Sequence, residues 1–378
     1  MLPDYAGGGL VNLVASIVGS RGGPALHPVL NHLPSVELRD ARNVVLLIID
    51  GLGDNYLMRR GAGGELARRR RAAITSVFPS TTASAITTSY TGRTPLEHGI
   101  TGWYTYFGQA GCVAAALPFK SRGDQLPLAA RGVTPEGIFV SDSIFGTLAG
   151  RSIVVTQDQI IDSAYNVRHC RGAERLAYGT LDQFVAQVET AVKSGIERKF
   201  IYAYWPDYDA VSHRFGYDSP QAGAELAKID GAFGQIVRRL SGTDTAIVAT
   251  ADHGFIDAEE CLEPPQRISS MLRFPFCGER RVVYCHVHAV GDFMDEARNW
   301  LRERADVRLS RELVDEGWFG PGTPHPRLAE RIGDVALVMR GRYTVKDWTA
   351  GEPRHLHLGN HGGTSENEMM IPFIMETI

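Results

Sequence analysis

The chain has 378 residues, of which 44% are hydrophobic and 22% charged. That is ordinary for a soluble globular protein, and long enough for one large domain with an insertion or for two domains. The net charge of −4 gives no reason to expect nucleic acid as a structural partner, and no segment reaches the roughly 20 apolar residues of a membrane span.

The first apolar stretch, residues 10–18, lacks a basic flank, its nearest charge being Asp4; this argues against a signal peptide. Five cysteines without a CxxC pair argue against a disulfide framework or a zinc ribbon and fit reduced thiols in a cytoplasm. "NVVLLIID" (43–50) is short, continuous and rich in β-branched residues, the pattern of a strand buried on both faces. The basic run at 68–71 follows a helix end at 65–67 and reads as a solvated helix end. Residues 77–92, "VFPSTTASAITTSYTG", carry eight serine and threonine hydroxyls. Pro79 followed by Ser80, Thr81 and Thr82 reads as a turn entering a helix over 83–90. Taken alone, this stretch leaves capping and nucleophilic attack both open.

Further strands are expected at 151–158, 199–207 and 244–252. A helix over 181–192 puts Phe184, Val185 and Val188 on one face, and a second over 219–240 opens with Ser219 as cap and Pro220 at its first position. Strands alternating with helices predict an α/β fold, a mainly parallel central sheet flanked by helices. After Asp252-His253 the texture changes. Residues 281–288 alternate, 291–305 are helical and 334–343 strand-like. Residues 262–345 are therefore expected to form a small α+β insertion, a cap, on a core made of 1–261 and 346–378.

Each core strand runs into an acid: Asp50, then Asp207 and Asp209, then Asp252. Ligands of open α/β sheets bind outside the carboxyl ends of the strands. His213 lies four residues after Asp209, His253 adjoins Asp252, and His361 sits in "GNHGG". Carboxylates and imidazoles gathered at one rim repel or desolvate one another unless cations sit among them. A pair of divalent ions solves this, and an Asp/His mixture suits zinc or manganese.

Five segments, "LLIIDGLGDN", "FPSTTASAITTSYTGRTPLEHGI", "PDYDAVSHRFG", "ATADHGF" and "LGNHGGTSENEMMIPF", resemble the alkaline phosphatase superfamily. Within it they resemble the type I phosphodiesterase/nucleotide pyrophosphatase family, in the family's order. The resemblance implies an alkaline-phosphatase-like fold and a nucleophile at Thr82, in Pro79-x-x-Thr82. It implies that Asp50, Asp252 and His253 hold the metal that also binds Thr82, and that Asp209, His213 and His361 hold a second. Thr82 would attack phosphorus, and water would hydrolyse the phospho-threonine-type intermediate. The implied substrate is a small-molecule phosphoester, a nucleotide being one candidate, with no other cofactor. Phosphomonoester, phosphonate hydrolase and phosphomutase chemistry remain alternatives on the same site, as does a metal-binding homologue without catalysis. Sulfatase chemistry is disfavoured because no Cys-x-Pro-x-Arg segment occurs. One departure stands out: Ala85 occupies the position where the family's eukaryotic members place an Asn that steadies a phosphate oxygen.

Several neighbours have blander readings. His98 is expected to be structural, and so are His355 and His357, unless a strand over 354–358 aims one of them at the pocket. Asp207 competes with Asp209, but the i,i+4 spacing to His213 favours the latter. Thr81 competes with Thr82 only if the register slips. Trp103, Tyr104 and Tyr106 are expected either to stack on a base or to pack under the cap. No Arg lies within "FPSTTASA" to clamp the extra charge of a monoester, so diesters are the expected preference.

Overall fold

A computed structural model describes residues 1–352 and 354–378. Its principal sheet has seven strands in the order Arg70–Thr75, Met370–Thr377, Thr245–Thr250, Asn43–Ile49, Lys199–Trp205, Arg151–Gln157, Ala173–Tyr178. The five strands from Thr245–Thr250 onward run parallel, and Met370–Thr377 pairs antiparallel with both of its neighbours. Every residue of Asn43–Ile49, Lys199–Trp205 and Thr245–Thr250 is buried. Continuous apolar runs are what a strand covered on both faces requires. The fold is alkaline-phosphatase-like, a mainly parallel sheet flanked by helices.

The helices follow their sequence signals. Leu181–Lys193 is capped by the Thr180 side chain and buries Phe184, Val185, Val188 and Val192. Pro220–Arg239 is capped by Ser219, whose hydroxyl accepts from the Ala222 N–H, and buries Leu226, Ile229, Phe233 and Ile236. The first apolar stretch is a buried helix, Leu10–Ser20, packed into the main core. The basic run is more structured than a solvated helix end. The helix stops at Arg68, and Arg70 and Arg71 open the edge strand Arg70–Thr75. Arg70 pairs with the mostly buried Asp54, and Arg69 with Glu65 and Glu376. No described helix is long and apolar enough to cross a membrane, and all five cysteines are unpaired.

A second seven-stranded sheet has the order Ala305–Leu309, Val335–Met339, Val282–Cys285, Cys277–Gly278, Tyr104–Phe107, Cys112–Ala115, Lys120–Ser121. Residues 262–345 supply four of these strands; the other three come from 104–121, inside the stretch expected to belong to the core. The join is the pairing of Gly278 with Tyr104. Helix Val290–Leu301 buries Phe293, Ala297 and Leu301 on one face, against an apolar cluster that includes Val283, Val335 and Leu337.

Candidate active site

The strand register fixes where the acids go. Ile48 pairs with Thr250 and Ile49 with Trp205 in parallel. Asp50 and Asp252 therefore leave the same carboxyl edge at the same height. The chain after Trp205 turns into helix Asp207–Phe215, which carries Asp209 and His213 one turn apart. Gly51 makes the first turn possible: its φ is +77°, and a Cβ there would lie 2.4 Å from the Phe255 ring.

Six expected ligands converge. His253 Nε2 lies 3.3 Å from Asp50 Oδ1, 3.6 Å from Asp252 Oδ2 and 4.0 Å from Asp209 Oδ1. His361 Nε2 lies 3.8 Å from Asp209 Oδ1 and 3.2 Å from His213 Nε2, and His213 Nε2 lies 3.4 Å from Asp209 Oδ1. Two ligand groups stand out, Asp50–Asp252–His253 and Asp209–His253–His361, each with donor atoms within 4.8 Å of one another. His253 belongs to both, and His213 stands beside the second.

The imidazoles are aimed by the backbone. His253 Nδ1 donates to the Gly254 carbonyl at 3.1 Å, and His213 Nδ1 to the Gly359 carbonyl at 2.9 Å. Each Nε2 is thereby left as a lone pair facing the cluster, the arrangement that orients metal-binding histidines. Burial lowers the pKa of all three rings, His213 to about 3, so they are neutral donors at pH 7. Asp50 and Asp209 are held well above the usual carboxylate range, first by burial and then by the charge of Asp252. Asp50 Oδ1, Asp209 Oδ1 and Asp252 Oδ2 are buried without a hydrogen-bond partner. Acceptor-only oxygens crowded beside imidazole lone pairs are a donor set that fits divalent cations.

Thr82 is the first residue of helix Thr82–Thr91. Its hydroxyl is 3.1 Å from His253 Nε2 and, that nitrogen being a lone pair, donates to it. Its neighbours are occupied elsewhere: Ser80 donates to the Gly363 carbonyl at 2.8 Å, and Thr81 to Glu279 Oε1 at 2.6 Å. Thr81 holds the N-cap position but makes no side-chain cap bond. Among the three hydroxyls, only that of Thr82 points into the ligand cluster. Ala85 is fully buried in the main core and offers the site no donor.

Other candidates separate cleanly. Asp207 accepts from Gln157 Nε2 at 2.7 Å, away from the ligands. His98 is buried, accepts from the Ile100 N–H and contacts the Thr88 hydroxyl. Residues 354–358 form no strand, yet His355 and His357 both line the cavity above Thr82, and the His357 ring sits 4.3 Å from that of His213. Tyr106 stacks on Phe274 inside the cap at 4.2 Å, whereas Trp103 and Tyr104 line the cavity.

That cavity, of about 680 Å³, contains residues the sequence reading missed: Glu279, Arg280 and Lys346. Cations do face the site, supplied by the second sheet and the segment after it and not by "FPSTTASA". Glu279 accepts from the Thr81 hydroxyl and from the Trp103 N–H, each at 2.6 Å, and burial pushes its carboxyl up to about 7. Isolated charged residues between short strands carry no motif; only the "CGER" turn hints at them.

Murine ectonucleotide pyrophosphatase/phosphodiesterase 5 has a similar structure, with a TM-score of 0.63 and 16% identity over 88% of this chain and 87% of that one. The human counterpart gives 0.64 and 18% over 88% and 87%. Phosphonoacetate hydrolase from Sinorhizobium meliloti 1021, in complex with phosphonoacetate, gives 0.62 and 17% over 89% and 90%. At such identities the likeness is one of fold. No curated protein matches the chain significantly. A family model described as type I phosphodiesterase / nucleotide pyrophosphatase matches residues 44–364. That match takes in every expected ligand from Asp50 to His361 and most of the sequence, so the chain belongs to this family of metal-dependent phosphoester hydrolases.

Proposed function

We propose that the protein is a two-metal hydrolase that cleaves phosphodiester or nucleotide pyrophosphate bonds, with Thr82 as nucleophile. The observation that carries this reading is the Thr82 hydroxyl, 3.1 Å from His253 Nε2, at the meeting point of the two ligand groups. Asp50, Asp252 and His253 would hold one ion beside Thr82; Asp209, His213 and His361 would hold the other. Zinc suits this donor set best and manganese second. Bound there, the ions would lower the pKa of the hydroxyl, offset charge on the phosphoryl oxygens and activate water.

The chain's own part is to position. Thr82 Oγ1 forms the new O–P bond as the bond to the leaving oxygen breaks, and the departing alkoxide or phosphate takes up a proton. Water then displaces Thr82 from phosphorus, which restores the hydroxyl. Free N–H groups in the first turn of helix Thr82–Thr91 favour negative charge at that end. The substrate is a small phosphoester, a nucleotide among the candidates, since a cavity of about 680 Å³ with Trp103 and Tyr104 in its wall lies in the range for ligands of that size. Five unpaired cysteines support a reducing, cytoplasmic setting.

The test is the metal-reconstituted protein against bis-p-nitrophenyl phosphate, p-nitrophenyl phosphate and nucleotide substrates. A kcat/KM ratio of diester over monoester above one is expected; a ratio well below one would move the reading to a monoesterase. Phosphonate hydrolysis is the second reading, favoured by the shared fold of phosphonoacetate hydrolase and by the cations in the cavity. Release of inorganic phosphate from phosphonoacetate, faster than any diester cleavage, would select it.

A further inference from the structure

The cavity has two ends of different chemistry. The floor holds Thr82, Asp209, His213 and His361, and the wall holds Arg122, Arg280 and Lys346 with the acids Glu279, Asp347 and Glu352. The charges on the wall pair unevenly. Arg122 is almost fully buried and committed to structure: it sits 2.9 Å from Glu352 and 2.8 Å from Asp347, and donates to the Phe276 carbonyl at 2.8 Å. Lys346 reaches Glu352 only at 3.4 Å, and its ammonium lies 5.7 Å from the Tyr104 ring centroid and 5.0 Å from that of Trp348. Glu352 and Asp347 are thus matched by Arg122 and Lys346.

Arg280 is left over. Its guanidinium makes one hydrogen bond, to the His355 carbonyl at 3.3 Å, and no ion pair among the described residues. The adjacent Glu279 is turned away to Thr81 and Trp103. A half-buried guanidinium has five donors in a fixed fork suited to carboxylate or phosphate oxygens. Most of those donors face the cavity and are free to meet a ligand, and a loosely held Lys346 ammonium faces the same space.

We infer that Arg280, with Lys346 beside it, binds a second anionic group of the substrate, a carboxylate or phosphate borne on the part that does not react with Thr82. This deepens the proposed function and rests on its placing of phosphorus at Thr82. It makes Arg280 a specificity residue: it reads the far end of the substrate, and an arm ending in a neutral group leaves it unpaired.

The test uses the zinc-loaded full chain and three phosphonates without a leaving oxygen: ethylphosphonate, 3-phosphonopropionate and ethylene-1,2-diphosphonate. Calorimetric Kd values for the two charged arms are expected to be about tenfold or more tighter than for the neutral arm, as charge-assisted bonds to a shielded guanidinium imply. Arg280→Gln should remove most of that advantage, Lys346→Met part of it, and Arg280→Lys should retain part. Because Arg280→Gln is measured with the same probes, direct chelation of zinc by a probe cancels in the comparison. Whichever charged arm gains more names the anion, carboxylate or phosphate. Equal affinities for neutral and charged arms, or an advantage that survives in the Arg280→Gln/Lys346→Met double variant, would overturn the inference. Turnover of bis-p-nitrophenyl phosphate, measured in parallel, keeps the two claims apart. Turnover with equal arms removes the anion subsite alone, and an Arg280-dependent advantage without turnover removes the reaction alone.

Discussion

At the scale of single residues, the Thr82 hydroxyl separates catalysis from a purely structural role. Thr82→Ala is expected to abolish nearly all turnover, a loss of about a thousandfold or more, as for removal of an activated nucleophile. Thr82→Ser should keep partial activity, since it retains the oxygen but loses the methyl that restrains its rotamer. Thr81→Ala should do far less, because that hydroxyl is spent on Glu279. If the Thr82 hydroxyl served only as a structural hydrogen bond to His253, its loss would cost about 1 kcal/mol of stability and leave turnover intact; steady-state kinetics beside urea unfolding decides. The proposed ligands have their own readout: Asp252→Asn and His361→Ala should each lower the metal content found by elemental analysis of protein purified without chelator. Glu279 sets a pH effect. Its folded pKa of about 7 lies above its unfolded value, so the stability tied to its protonated form is complete below the unfolded pKa of about 4.3 and is lost as pH rises through 7. Besides Thr81 and Trp103, the charged groups that lower it are Arg280 and Lys346, and its own charge acts on Asp209. In chelated protein, Glu279→Gln should gain in melting temperature over the wild type between pH 5 and pH 8, by an amount corresponding to roughly 1–3 kcal/mol. A constant difference across that range would show that Glu279 is already ionised at pH 5.

Between elements, the buried pair Arg281–Glu368 ties the second sheet to the loop that carries His361. Arg281 Nε and Nη2 each donate to Glu368 at 3.0 Å, and both side chains are at most 1% exposed. Glu368 also accepts from the Gly363 N–H at 2.8 Å and from the Ser365 hydroxyl at 2.6 Å. Breaking one side strands a buried charge, so Arg281→Met is expected to cost about 3–5 kcal/mol, read as a lower urea midpoint, with loosened metal binding at His361. Replacing both partners, as Arg281→Met/Glu368→Leu, should cost less than the single change. These couplings also mark where the sequence stopped being legible. Asp50, Asp209 and Asp252 could be read because each lies just past a short, mostly apolar run of the kind a strand buried on both faces requires, so their shared edge follows from the strand pattern. Arg280 and Glu279 could not. They sit in a tight turn between strands Cys277–Gly278 and Val282–Cys285, and reach the site only because Gly278 pairs with Tyr104. Edge strands were missed for a related reason: Arg70–Thr75 begins with two arginines, and Ala173–Tyr178 carries Glu174 and Arg175 side by side.

For the whole molecule, metal and fold should be linked. Burial and then the charge of Asp252 raise the pKa of both Asp50 and Asp209, a repulsion that bound cations would offset. Chelation is expected to lower the melting temperature, and excess zinc to restore it, with a stabilisation of about 3 kcal/mol at a hundred times the Kd; scanning calorimetry with and without chelator measures it. Unchanged melting would mean that the six side chains do not bind metal in the folded state. The same connectivity sets a timetable for biosynthesis. The final strand, Met370–Thr377, lies between Arg70–Thr75 and Thr245–Thr250, and His361 arrives only shortly before it. A nascent chain halted at residue 345 would display Thr82, Asp50 and Asp252 but would lack both the last imidazole and the strand that closes this side of the sheet. Under the proposed function, metal loading and the first turnover would therefore wait until His361 and Met370–Thr377 have been made and have docked, and a shorter nascent chain would carry Thr82 beside an incomplete set of ligands.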